Sequence, residues 1–189
     1  IDDGLTALRW VFEEAEALGV DPKRVAVMGD SAGGNLSAVV ALKTRQDRER
    51  PALQVLIYPA TDARCGLASH RVMGEGFLLT SEMIDWYYQQ YLGPDPAMRL
   101  LPDVSPLLEH DLTGAPPALV YTAGFDPLRD EGAAYAERLR QAAVFVHHQE
   151  QPSLPHGYAL MTRGARAARK AVDEIVADVR AELWKGLRG

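Results

Sequence analysis

Residues 25–42 read VAVMGDSAGGNLSAVVAL, a short apolar run that becomes an apolar helical pattern around a single hydroxyl, Ser31. Val25, Ala26, Val27 and Met28 have the character of a buried strand, whereas Leu36, Val39, Val40 and Leu42 recur at helical spacing. Between them, Gly29-Asp30-Ser31-Ala32-Gly33 fits the G-x-S-x-G pattern of a sharp strand-to-helix turn. Glycine is expected two residues to either side because the turn brings neighbouring backbones too close for side chains. The serine itself is expected in a strained conformation, its hydroxyl at the carboxyl end of the sheet, where open α/β sheets bind ligands. The Ala32 N–H, opening the helix, then points toward negative charge developing on an attacked carbonyl. Ser31 is therefore a candidate nucleophile and Ala32 a candidate oxyanion donor, with Gly29, Asp30 and Gly33 shaping the turn. A purely structural turn is the competing reading of these residues. A phosphate-cradling loop is disfavoured because no Gly-Lys-Ser/Thr follows.

Outward from this turn, helix and strand signals alternate without repeats or low-complexity tracts. Asp2 or Asp3 is placed to cap a helix carrying Leu5, Leu8, Phe12, Ala15 and Leu18, which Gly19 then ends. Further strands read at LQVLIYP (53–59), PALVYTAGF (117–125) and VFVHHQE (144–150), and helices at 34–43, 132–142 and 165–187. Strands so rich in Val, Ile, Leu and Tyr are buried on both faces, so the first of them is expected to be central where further strands precede it and, without them, to be left as an unpaired apolar edge. The βαβα order predicts an α/β fold with a mostly parallel sheet between helices. One domain, 1–189, is expected, with a cap-like excursion over residues 63–111 that is longer than a βα connection needs. Within it Thr80 is placed to cap a helix SEMIDWYYQQYL. Its Trp86, Tyr87, Tyr88 and Tyr91 either roof a pocket or pack on the sheet. Trp86 and Tyr87, with Leu128 beyond the third strand, are the candidate pocket residues.

The 189 residues are 47% hydrophobic and carry a net charge of −6, which suits one globular domain. No apolar run is long enough to span a membrane, and no basic patch argues for nucleic acid. A small neutral or weakly polar substrate fits the charge better than a polyanion. The single cysteine, Cys65, excludes an internal disulfide and disfavours a cysteine metal site, so no metal and a reducing, cytoplasmic setting are expected. The opening IDDGLTALRW lacks the basic start and apolar core of a signal peptide.

A serine hydroxyl is a poor nucleophile until a base takes its proton. Of five histidines, His147 and His148 fall within the fourth strand and His70 and His110 within the excursion, leaving His156 in a loop after a strand. Where a nucleophile sits on such a turn, the partners follow in the order serine, acid, histidine. After the third strand stand Asp126, Asp130 and Glu131. Asp126 follows the strand directly and precedes the rigid Pro127, whereas Asp130 and Glu131 read as first-turn helix residues favoured by the dipole. Asp126 is the predicted acid.

GDSAGGNL, LIYPATD, GFLLT, VSPL, PPALVYTAGFDPLRDEG and HGY together resemble the hormone-sensitive-lipase-like branch of bacterial carboxylesterases, from Asp2 to the C-terminus. The resemblance implies an α/β-hydrolase fold, hydrolysis of short- to medium-chain esters, no cofactor, and a triad of Ser31, Asp126 and His156. The segment QEQPSLPHG departs from the family in lacking the aromatic residue and glycine often found there. The family's His-Gly-Gly-Gly loop is also absent from the sequence. The resemblance implies that this loop, four earlier strands and part of the cap lie upstream of Ile1, lost from the record or held by another chain. A binding protein on a retired hydrolase scaffold, or an inactive assembly fragment, is the competing class. The fourth strand is expected at the sheet edge, where self-pairing would give a homodimer.

Overall fold

The computed structural model describes residues 1–185. Helix α1 (Asp2–Glu13) and the single turn α2 (Ala15–Leu18) open the chain, and Gly19 ends them in a left-handed conformation at φ 66°. Asp2 and Asp3 lie inside the first turn of α1 and do not cap it; Ile1 occupies the cap position, with no side-chain cap bond. Then follow β1 (Ala26–Asp30), α3 (Ala32–Lys43) and β2 (Leu53–Ile57). The excursion carries α4 (Ala68–Val72) and α5 (Ser81–Leu92), the latter capped by Thr80 Oγ1 accepting from the Met83 N–H. Next come β3 (Ala118–Phe125), α6 (Arg129–Gln141), β4 (Val146–Pro155) and α7 (Arg166–Leu183). The last two residues of the predicted 165–187 helix lie outside the described residues.

All four strands are parallel, in the order β1-β2-β3-β4. Alternate residues of the central strands face opposite helices, which is why these strands read as unbroken apolar runs. Leu56, Ala118 and Val120 pack with Ala38 and Leu42 of α3 and Tyr135, Ala136 and Leu139 of α6. On the other face Leu53, Val55, Ile57, Leu119 and Tyr121 pack with Ala168, Ala171 and Ile175 of α7. A smaller cluster joins Leu8 and Phe12 of α1 to Val25 and Val40.

The sheet ends in β1 on one side and β4 on the other. Among the described residues β1 is an edge strand, paired with β2 alone, and Met28 is 54% exposed. Apolar composition shows that a strand can be buried on both faces; it does not say which elements are present to bury it. Strand β4 forms the opposite edge, as predicted, but continues five residues past Glu150 to Pro155. Its register with β3 shifts between Ala123 and Phe125, and at Gly124 an added Cβ would stand 2.2 Å from the Pro152 carbonyl oxygen. The extra length delivers His156 directly off the end of a strand.

No described helix is long and apolar enough to cross a membrane. Leu56, fully buried between β2 and its covering helices, carries much of the packing. Leu56→Ala is expected to cost about 2–5 kcal/mol in urea unfolding, whereas Leu36→Ala, at an exposed position of α3, should cost about 0.5 kcal/mol or less.

Candidate active site

The turn between β1 and α3 is built on one close approach. A Cβ at Gly29 would lie 2.2 Å from the carbonyl carbon and oxygen of Gly33, so no side chain fits there. Gly33 itself faces open space, and the next tight position is Gly34, whose added Cβ would meet Pro59 Cβ at 2.9 Å. The steric requirement therefore falls on Gly29 and Gly34, not on the symmetrical pair that the motif suggests. Ser31 takes φ 54° and ψ −118°. Its N–H donates to the Ile57 carbonyl at 2.9 Å, and its carbonyl accepts from Asn35 N at 3.1 Å and Ala60 N at 3.2 Å. These bonds offset the cost of a conformation that non-glycine residues seldom adopt. Ser31 is half-buried, and Ala32, exposed, begins the 12-residue α3 with its N–H unused within the helix.

Parallel strands bring the ends of β1, β3 and β4 to one side of the sheet, and there Ser31, Asp126 and His156 meet. His156 Nε2 lies 2.9 Å from Ser31 Oγ, and Nδ1 lies 2.8 Å from Asp126 Oδ2. A carboxylate can only accept, so Nδ1 carries the proton and Nε2 is left to accept from the serine hydroxyl. Asp126 is fully buried, and its Oδ1 accepts from the Leu128 N–H at 2.8 Å. The His156 N–H donates to the Phe125 carbonyl at 3.4 Å, tying the histidine back to the strand that delivers the acid. A hydroxyl bonded to an imidazole that a carboxylate in turn orients is an arrangement able to convert an alcohol into a nucleophile.

Leu128 is 3% exposed and packs with Leu79 and Ile84, so its side chain is buried support under the excursion. Trp86 and Tyr87 are 56% and 52% exposed and meet edge to face at 5.3 Å. They face outward from α5, while Tyr88 turns in toward the Leu79 cluster. Apolar residues that the sequence did not single out stand nearer: Phe77 stacks on Phe125 at 5.1 Å, and Leu78 lies beside Gly157. His147 is 3.5 Å from Asp178 and His148 bonds Thr122, both on β4 and apart from this cluster. Among the described residues no group of three or more His, Cys, Asp or Glu is arranged to hold a metal ion.

Asp130 and Glu131 do lie in the first turn of α6, but the helix dipole is not their main partner. Glu131 is fully buried; Oε1 accepts from the N–H groups of Thr61 and Asp62 at 2.7 and 3.1 Å, and Oε2 lies 2.6 Å from His70 Nε2. Burial pushes its carboxyl above the ordinary range, against the pull of His70 and the two amides. Asp130 Oδ2 accepts from the Ser69 N–H, and Ser69 Oγ donates to the Pro127 carbonyl at 2.6 Å. The loop carrying Asp126 is thus tied to α4 and to the exit of β2.

The parallel sheet, the helices on both faces and a serine at a strand-to-helix turn define an α/β hydrolase. Residues 1–160 match the α/β-hydrolase fold family, and the chain belongs to it. It is 46% identical to an ethyl acetate hydrolase of Pseudomonas putida over 85% of this chain and 51% of that protein. It is 41% identical to a carboxylesterase of Mycobacterium tuberculosis over 97% of this chain and 58% of that one. Among solved structures, a thermostable carboxylesterase cloned from a metagenomic library superposes with a TM-score of 0.91 at 41% identity, covering 96% of this chain and 62% of that one. The chain spans about half the length of the curated relatives it matches.

Removing the Glu131 carboxyl leaves His70 Nε2 and the Thr61 and Asp62 amides buried without their partner, and Glu131→Ala is expected to lose about 3–5 kcal/mol in chemical denaturation. Glu137→Ala, at an exposed position of the same helix, should stay within about 0.5 kcal/mol.

Proposed function

We propose that this chain carries the catalytic triad of a serine carboxylesterase of the hormone-sensitive-lipase-like branch, acting on short- to medium-chain esters of small molecules. The hydrogen-bonded series Ser31–His156–Asp126 at a strained turn is the observation that carries this reading. Ser31 Oγ attacks the ester carbonyl carbon as His156 Nε2 takes the hydroxyl proton. Asp126, dry and fixed by Leu128 N–H, stabilises the imidazolium that forms. The tetrahedral oxyanion is met by the Ala32 N–H at the positive end of α3. Collapse expels the alcohol, which takes the proton from His156 and leaves an acyl-serine. Water, activated by the same imidazole, releases the acid and restores Ser31. None of these steps calls on a cofactor, nucleic acid or membrane. Phe77, Leu78 and Phe125 are suited to the apolar side of the substrate; Trp86 and Tyr87 would join them only if α5 is covered.

Ala32 supplies one oxyanion donor, and the loss of one such donor typically costs about 10²–10³ in rate. A second donor therefore belongs to the proposal. We place it on a glycine-rich segment outside these 189 residues, in the same chain or another, which also accounts for the solvent-exposed Met28 on β1. The relatives' greater length supports this placement.

In the intact protein a fluorophosphonate should label Ser31 stoichiometrically, and Ser31→Ala should abolish labelling and p-nitrophenyl ester hydrolysis alike. Label on a different serine would overturn the assignment. Asp126→Asn, which presents the wrong tautomer to Ser31, should lower kcat by about 10⁴, while Asp130→Asn should change it by no more than about threefold. Equal losses would show that Asp126 is not the acid.

A further inference from the structure

Four non-glycine residues have positive φ among those described: Ser31, Tyr58, Cys65 and Ala143. Ser31 is explained by its turn. Tyr58, at φ 37°, is a bulky aromatic residue in a conformation such residues rarely tolerate, and it persists only where the surroundings over-determine it. They do so here. The Tyr58 N–H donates to the Tyr121 carbonyl at 2.6 Å, and Pro59 is pressed against Gly34. The Ala60 N–H bonds the Ser31 carbonyl, and the Ala60 carbonyl accepts from Asn35 Nδ2 at 2.7 Å. The backbone leaving β2 is thus clamped on both sides of the strained residue.

The clamp delivers a ring to the triad. Tyr58 is 1% exposed, and its ring centroid lies 4.7 Å from that of His156, with the planes at 58°. Tyr158 backs it edge-on at 4.9 Å and 79°. The phenol oxygen donates to Asp30 Oδ2 at 3.2 Å, next to the nucleophile. Burial and the neighbouring Asp30 charge push the phenol well above its usual value, so it remains a donor.

The geometry points to Tyr58 as a positioning residue: its ring, fixed by a strained and clamped backbone, stops the His156 imidazole from tipping out of the line that joins Ser31 to Asp126. Two hydrogen bonds at opposite ends of an imidazole still allow the ring to rock about the axis between them. An aromatic ring packed against the imidazole, even at a tilt, removes that freedom. The hydroxyl adds a weaker hold on Asp30, which is itself solvent-exposed. Tyr58 acts through His156 and Asp30 and is given no contact with substrate. This inference rests on the esterase reading above.

The test compares Tyr58→Leu, which removes the ring, with Tyr58→Phe, which keeps it, in the intact protein, with kcat expressed per fluorophosphonate-titrated site. Because a displacement of about 1 Å can cost about 10² in rate, Tyr58→Leu should lower kcat and the phosphonylation rate together by about 10- to 100-fold, with KM within about twofold. Tyr58→Phe should recover activity to within about threefold of the unaltered protein, since a single long, part-buried hydrogen bond to a carboxylate that water also reaches contributes little. Unchanged kcat in Tyr58→Leu, a loss confined to KM, or an equal loss in Tyr58→Phe would overturn the inference. If Tyr58→Leu does not fold, Tyr58→Met takes its place. A nuclear Overhauser contact between the Tyr58 and His156 rings tests the geometry without any substitution, and its absence would also overturn the inference. Failure of the unaltered protein to label at Ser31 would instead defeat the esterase reading itself.

Discussion

The distance between β1 and α3 at Gly29 and Gly33 is the constraint on which the rest of the site depends. Because the backbones nearly touch there, the chain must reverse within a single residue, and that residue is forced to positive φ. The strain is not relieved locally. It is held by bonds from Ile57, Asn35 and Ala60, and Asn35, buried beneath the turn, also donates to the Val104 carbonyl at 2.8 Å. The turn is thereby braced by β2 on one side and by the far end of the excursion on the other. Loosening any of these braces would let Ser31 relax toward an ordinary helix start, with its hydroxyl turned away from His156.

The carboxylates of two histidine–carboxylate pairs lie five residues apart, Asp126 just before α6 and Glu131 in its first turn. Asp126 with His156 and Glu131 with His70 have nearly the same geometry, at 2.8 and 2.6 Å. What separates them is the free end of the imidazole. His156 Nε2 meets a hydroxyl, whereas His70 Nδ1 is buried with no partner among the described residues. On the proposed esterase reading the first pair passes a proton onward. The second, through the two amide bonds to Glu131, is a tie between the loop after β2, α4 and α6. Similar groups acquire different tasks from what stands beyond them.

Much of this was legible in the sequence because it is written locally. Apolar periodicity marks the four strands and the long helices, and G-x-S-x-G, Asp-Pro and His-Gly mark three strand ends that a parallel sheet must gather on one side. What was not legible is set by distant contacts. Glu131 and His70 are separated by 61 residues and look like solvated surface charges until the fold removes their water. Tyr58 reads as one more strand aromatic, since positive φ leaves no trace in composition. The aromatic row of α5 was ambiguous for the same reason: side chains of one chemical type fill it, and only the packing shows that Tyr88 turns inward while Trp86 and Tyr87 do not. That β1 is an edge among the described residues follows from its partners, since strand order is a property of the strands alongside and not of one strand's composition.

The bond between Ser31 and His156 joins residues 125 positions apart, across the sheet and through its last strand. During synthesis the turn that presents the serine is made early, while the imidazole arrives only after nearly all of the sheet has been added. A nascent chain therefore carries an ordinary alcohol at Ser31, no more reactive than any surface serine, until β4 docks against β3. On the esterase reading proposed above, completion of the fold and arming of the hydroxyl would then be a single event, and a chain that stalls, is cut or fails to place its final strand would stay chemically quiet.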